Sequence, residues 1–258
     1  MLERKIINMK NTIKLGIKAG PSLLASYLCW AIKYSKHPER YPLELRYKKV
    51  KKLIHKIDDC ASTNLLVYGK ENIDENTISC YYSNHYSAYD CILLVKTMNN
   101  PISFVVKKEI RKYFMFGRCV RAISGEFMDR DDLRQSLKVM QHVEEDLKNG
   151  IKNWAIYPEG TRNKNPENEI GDFHYGSFKA AMRAGVPIVP VAIYGTFRVL
   201  NESSKQKFPI QISYLKPLTP EDYKNMTSQE VAIKVREMIE QEVENHLRPV
   251  DKQLFKTN

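Results

Sequence analysis

The chain is 258 residues long, with 43% hydrophobic and 28% charged residues, which excludes disordered, collagen-like and coiled-coil proteins and fits one large domain or a domain with an appendage. Lys and Arg number 41 against 30 Asp and Glu, a formal net charge of +11 that predicts an anionic partner: nucleic acid, a membrane surface or an acidic protein. Residues 1–60 hold 14 Lys/Arg and 5 Asp/Glu, an excess of nine, so residues 61–258 carry the remaining two and are nearly neutral.

At the N-terminus Lys5, Lys10, Lys14 and Lys18 are interleaved with Ile6, Ile7, Ile13, Leu15 and Ile17. An uncharged run follows from Ala19 to Ile32, carrying Leu23, Leu24, Tyr27, Leu28 and Trp30. A helix of that length reaches about 21 Å, short of the roughly 30 Å hydrocarbon core, so no span is expected. The run starts late and no A-x-A-like site follows, which argues against a signal peptide. Basic residues beside aromatic ones predict a helix lying on anionic lipid; a solvated helix packed on the domain is the alternative. The expected division is therefore 1–60, a basic amphipathic helical membrane-association segment, and 61–258, an α/β domain.

After Pro38 and Pro42 a basic helix is expected over about 43–57. Short apolar runs then predict strands at 65–68, 77–82, 102–106, 154–157 and 188–194, with a weaker one at 209–215 that reads as a possible edge. Between them Leu133, Leu137, Met140, Val143 and Leu147 share one face of a helix ending at Gly150. A further helix starts near Ser177 and stops at Gly185. The last begins at Thr227, where Glu230 suggests a capping box. Strands alternating with helices predict an α/β domain with a mostly buried mixed sheet flanked by helices. Cys29, Cys60, Cys80, Cys91 and Cys119 have no C-x-x-C spacing, so buried thiols in a reducing cytosol are expected, with neither disulfide framework nor metal site.

Four stretches carry candidate chemistry. In Asn84-His85-Tyr86-Ser87-Ala88-Tyr89-Asp90, following a strand, His85 and Asp90 would stand about 140° apart on one continuous helix. They pair only if the chain turns after His85 and a helix starts near Asp90. An Asp on one ring nitrogen leaves the other as a general base. The spacing alone is common by chance.

Tyr157-Pro158-Glu159-Gly160-Thr161-Arg162 follows a strand with a sharp turn, where backbone N–H groups and a planar guanidinium can meet a phosphate; a surface turn with a solvated Arg is the plain alternative. Gly125 to Arg130 offers a second Arg at a strand end, and Val186-Pro187-Ile188-Val189-Pro190 reads as a wall.

These four stretches, in this order, resemble the motifs of the glycerolipid acyltransferase family, which includes the 1-acylglycerol-3-phosphate (lysophosphatidic acid) acyltransferases. Lys107-Lys108-Glu109 and Phe173 to Lys179 are similar to stretches of its bacterial members, and the likeness covers about 60–200. His174 stands where many relatives have Lys, and Tyr157 where Phe is frequent.

The resemblance implies a glycerol-3-phosphate acyltransferase-like fold and transfer of an acyl group from a thioester to the sn-2 hydroxyl of 1-acylglycerol-3-phosphate. It assigns His85 as general base with Asp90 orienting it, and Asn84 in support. Arg130, Arg162, Glu159, Gly160, Thr161 and Lys107 fall to acceptor binding. No cofactor is implied beyond acyl carrier protein or coenzyme A as the thioester carrier. Cys91 reads as packing. The expected place is the cytoplasmic face of the cell membrane, with an anionic bilayer and lysophosphatidic acid as partners. Glycerol-3-phosphate or another lysophospholipid stays open as acceptor, and a non-catalytic basic membrane protein as the contrasting class. Nucleic acid is not expected, because no recognisable binding motif accompanies the basic residues.

Overall fold

Strands β1 (Thr63–Tyr68), β2 (Cys80–Ser83), β3 (Ile102–Lys107), β4 (Glu126–Met128), β5 (Asn153–Ile156), β6 (Ile188–Tyr194) and β7 (Phe208–Tyr214) form one sheet in the order β1-β7-β6-β2-β5-β3-β4. Only β6 and β7 pair antiparallel; every other neighbour is parallel. The computed structural model describes residues 16–163, 165–167, 169–199 and 207–256. Of the expected lipid-facing residues, Lys5, Ile6, Ile7, Lys10, Ile13, Lys14 and Leu15 lie outside the described ones.

Helices cover both faces. On one side lie α1 (residues 16–36, with a π-helical stretch at Tyr27–Ala31), α2 (Leu43–Ala61), α3 (Tyr89–Thr97) and α4 (Phe116–Ala122). On the other lie α5 (Leu133–Lys148) and α6 (Lys179–Ala184). The short helix α7 (Thr196–Val199) returns to α3 with Val199 in the first core, α8 (Pro220–Tyr223) and α9 (Ser228–Glu242) lie on the second face, and α10 (Arg248–Lys256) ends the described chain.

The pleat of β6 shows how both cores are filled. Val189, Val191 and Ile193 point into the first layer, with Leu53, Leu93 and Tyr34; Ile188, Ala192 and Tyr194 point into the second, with Val143, Ala181 and Val235. Each fully buried aliphatic side chain contributes roughly 1.5–3 kcal/mol. Trp30 and Tyr34 of α1 belong to the first core, so the described part of the basic segment packs on the body along one stripe. Its other stripe, with Ile17, Leu24 and Leu28, is exposed, as is Cys29. No helix among the described residues is long and apolar enough to cross a membrane.

Three expectations need correction. Of the thiols expected to be buried, Cys29 is exposed and Cys60 and Cys119 are half-buried. β7 is internal, between β1 and β6, with all seven residues buried. Its alternation looks weak because Gln211 and Ser213 are polar yet buried, the Gln211 Nε2 donating to the Leu247 carbonyl. The apolar face of α5 is buried only from Val139 onward; Leu133 and Leu137 stand exposed on the first two turns. The capping box of Thr227 and Glu230 forms as expected, and Gly185 ends α6 in the left-handed region, φ +66°.

Because β2, β3, β4, β5 and β6 run parallel, their carboxyl ends open on one edge of the sheet. In open α/β sheets that edge is where ligands bind. The stretches from Asn84 and from Tyr157 leave β2 and β5 at this edge and Asp129-Arg130 follows β4 there, whereas Val186-Pro187 leads into β6 at its opposite, amino end.

Candidate active site

Beyond Ser83 the Asn84 side chain continues the β2–β6 pairing: its Nδ2 donates to the Ile193 carbonyl and its Oδ1 accepts the Ile193 N–H, both at 2.8 Å. The end of β2 is thereby fixed before the chain turns. The turn spans His85 to Ala88, and α3 starts at Tyr89, which places Asp90 in its first turn, where the helix dipole favours a carboxylate.

Asp90 is fully buried. Its Oδ2 lies 2.7 Å from His85 Nδ1 and accepts the N–H groups of Tyr86 and Ser87, each at 2.8 Å. Its Oδ1 accepts the Thr196 hydroxyl at 2.5 Å. A carboxylate only accepts, so His85 carries its proton on Nδ1 and keeps a lone pair on Nε2. The Tyr157 ring stacks on the imidazole, centroids 4.2 Å apart, and limits its rotation.

The second turn is stitched to the first. Glu159 Oε1 accepts the His85 backbone N–H at 2.7 Å, Oε2 accepts that of Gly171 at 3.1 Å, and the Asn163 N–H donates to the His85 carbonyl at 2.7 Å. Burial pushes the Glu159 pKa up, and the two backbone N–H groups oppose that. Gly160 has φ +70°, and a Cβ there would lie 3.1 Å from the His174 ring and 3.7 Å from the Arg130 guanidinium carbon. Glycine suits both the positive φ and the close approach to the His174 ring.

His85 opens into a cleft of about 550 Å³. Lys107, Arg130 and Arg162 line one side of it with Gly160 and Thr161. Desolvation pulls the Arg130 pKa down, with Glu109 opposing, and Lys107 lies 3.4 Å from Glu109. The cleft shares Cys91, Val106 and Phe116 with an apolar pocket of about 200 Å³ under α2 and α4, walled further by Leu53, Phe104 and Met115. Burial pushes the Cys91 thiol up to about 12, so it stays protonated and is a poor nucleophile at neutral pH.

Of the residues named from the sequence, His85, Lys107, Arg130, Gly160, Thr161 and Arg162 meet at this cleft. Asp90, Asn84 and Glu159 sit behind it: Asp90 on the imidazole, Asn84 on β6, and Glu159 on backbone N–H groups rather than in the cleft. Thr196 was missed. Its signal is a hydroxyl two residues past a buried strand, after Gly195, whose φ of +88° turns the chain back toward α3. The clamp on His85 by Tyr157 was also missed, since a strand-end aromatic reads as core.

A probable 1-acyl-sn-glycerol-3-phosphate acyltransferase of Mycoplasma pneumoniae is 29% identical over 233 residues, covering 85% of this chain and 86% of that one. The 1-acyl-sn-glycerol-3-phosphate acyltransferase of Escherichia coli is 26% identical over 163 residues, covering 63% and 66%. The crystal structure of the 1-acyl-sn-glycerophosphate (LPA) acyltransferase PlsC from Thermotoga maritima superposes with a TM-score of 0.69 at 24% identity, over 94% of this chain and 97% of that one, and so shares the fold. The family model described as Acyltransferase matches residues 64–194, half of the chain, including the turns at His85 and at Gly160. With its His85–Asp90 pair and its basic turn inside that match, the chain belongs to the acyltransferase family.

Proposed function

We propose that this acyltransferase moves a fatty acyl group from a thioester to the sn-2 hydroxyl of 1-acylglycerol-3-phosphate, giving phosphatidic acid. One observation carries the reading: a His whose free nitrogen faces a cleft with Lys107, Arg130 and Arg162 on one side and an adjoining apolar pocket on another. An acceptor with one phosphate and a donor with one acyl chain match those two sides. The named relatives act on that acceptor, which supports the same choice here.

In this mechanism His85 Nε2 takes the proton of the acceptor hydroxyl as its oxygen attacks the thioester carbonyl. The tetrahedral adduct collapses, the C–S bond breaks, and the thiolate leaves with the proton from the imidazolium. Asp90 stabilises the imidazolium and holds its ring. A general base of this kind contributes about 10²–10⁴-fold. Arg130 and Arg162 hold the phosphate by charge-assisted bonds, and Lys107 adds a third cation.

The donor is acyl carrier protein or coenzyme A, both anionic and suited to a basic surface. The enzyme sits peripherally on the cytoplasmic leaflet, held by the basic N-terminal segment, whose α1 turns Ile17, Leu24 and Leu28 outward.

An acyl-transfer assay with lysophosphatidic acid or glycerol-3-phosphate, each offered with both donors, tests the reading. Phosphatidic acid formed from lysophosphatidic acid is expected. Acylation of glycerol-3-phosphate in its place would reassign the acceptor.

A further inference from the structure

Two observations outside the cleft meet at one surface. After β3 the chain makes a short 3-10 turn, Lys108–Lys112, and runs into Tyr113 and Phe114, which are 62% and 58% exposed. The Phe114 ring stacks on Tyr27 of α1, with centroids 4.4 Å apart. Ile17, Leu24 and Leu28, spaced along one face of that helix, are exposed as well. The stack therefore joins the helix stripe to the aromatic pair, and one apolar surface is shared by α1 and the catalytic body. A contiguous apolar surface of this kind marks an interaction site.

The second observation is charge. Arg111 and Arg121 both lie over the Phe127 ring, at 5.0 and 5.7 Å, while Arg118 lies 4.9 Å from the Tyr27 ring and donates to Ser35 Oγ at 3.0 Å. Among the described residues, Arg111, Lys112, Arg118 and Arg121 form no ion pair with a carboxylate, whereas neighbouring Lys107 and Lys108 are paired with Glu109 and Asp129. Burial lowers the pKa of Arg121, and Arg111 and Arg118 lower it further. Guanidiniums gathered without a counter-ion invite an anion from outside.

We propose that Tyr113, Phe114 and the cluster of Arg111, Arg118 and Arg121 form a second membrane contact, carried by the catalytic body, in which the aromatic pair sits among lipid headgroups and the arginines bind lipid phosphates. The proposal rests on the membrane docking of α1 put forward above and extends it. One helix gives a line of contact and leaves the body free to roll about it; the turn after β3 adds a second point and fixes the roll. Ile110, Tyr113 and Phe116 of the same stretch line the cleft, so this seating sets the cleft mouth at the level of its lipid acceptor. A soluble phosphate would match the arginines and leave the aromatic pair uncovered. An anionic bilayer matches both.

Flotation of the full-length protein on phosphatidylcholine vesicles, with and without phosphatidylglycerol, tests this. Phe114→Ser should float less on both vesicle types. The double variant Arg111→Gln/Arg121→Gln should lose about 25-fold in partitioning on the anionic ones only, at roughly 5-fold per cation. Turnover of a short-chain, water-soluble lysophosphatidic acid should stay at the wild-type value in both, which also shows that they fold. If wild type floats and both variants float equally well, this contact is wrong while docking by α1 stands. If wild type itself does not float, the docking reading fails and takes this contact with it.

Discussion

At His85 four contacts decide what one ring can do. Asp90 sets its tautomer, Tyr157 limits its rotation, Glu159 holds its backbone N–H and Asn163 its carbonyl. Behind them Thr196 donates to the Asp90 oxygen that the imidazole does not use. Thr196→Val removes that bond and leaves Asp90 Oδ1 without its donor. We expect kcat to fall about 10- to 100-fold with KM for both substrates little changed, since a bond to a charged group is worth about 1.5–3 kcal/mol. Thr196→Ser should restore most of it, which loss of packing alone would not allow. In the same cleft, Arg162→Ala should raise KM for a phosphate-bearing acceptor by one to two orders of magnitude, by the same bond strength. An effect confined to the thioester donor would remove Arg162 from the phosphate. The sequence exposes His85, Asp90 and Arg162 because each lies in a short motif beside a strand. Thr196 lies 106 residues from Asp90, and only the pairing of β6 with β2 brings them together.

Among the elements, the strands were legible because each is a short apolar run ended by a turn, and the carboxyl ends of β2, β4 and β5 carry three of the four motifs. β7 was read as a possible edge because its buried polar residues imitate an exposed face. Leu133 and Leu137 show the converse: helical spacing marks a face, but not how far the sheet beneath it extends. Nor does spacing reveal Asp58, which anchors the helix that bears Asp90. Asp58 on α2 accepts from Thr63 at 2.7 Å and from Tyr89 and Lys96 of α3. Burial alone would raise its pKa, but the bonds from Lys96, Tyr89 and Thr63 outweigh it and hold the carboxyl below its ordinary value. A carboxyl lowered in the fold stabilises above its ordinary pKa, and that stability is lost as pH falls through the lowered value. Thermal unfolding followed from neutral to acid pH should therefore show Asp58→Asn less stable than wild type at neutral pH, with the gap closing in acid. A constant gap would leave Asp58 no electrostatic part in holding α3.

For the whole molecule, the net charge of +11 resolves into two places. Nine of it belongs to residues 1–60, and the unpaired Arg111, Lys112, Arg118 and Arg121 bring cations of the otherwise near-neutral body to the same side as α1. On the proposed docking, the side that bears α1 and Phe114 faces lipid, and beside it opens a cleft whose lining includes three cations and one histidine and which adjoins an apolar pocket. Charge in the sequence pointed to an anion; only the packing of Phe114 on Tyr27 relates that charge to the cleft. The central claim is that His85 acts as the base in acyl transfer to lysophosphatidic acid at this surface. The direct measurement is phosphatidic acid formation by wild type and His85→Ala on vesicles that both bind. The account predicts a loss of about 10²–10⁴-fold in kcat for His85→Ala, with flotation and thermal unfolding unchanged. A His85→Ala enzyme that forms phosphatidic acid at the wild-type rate would contradict it.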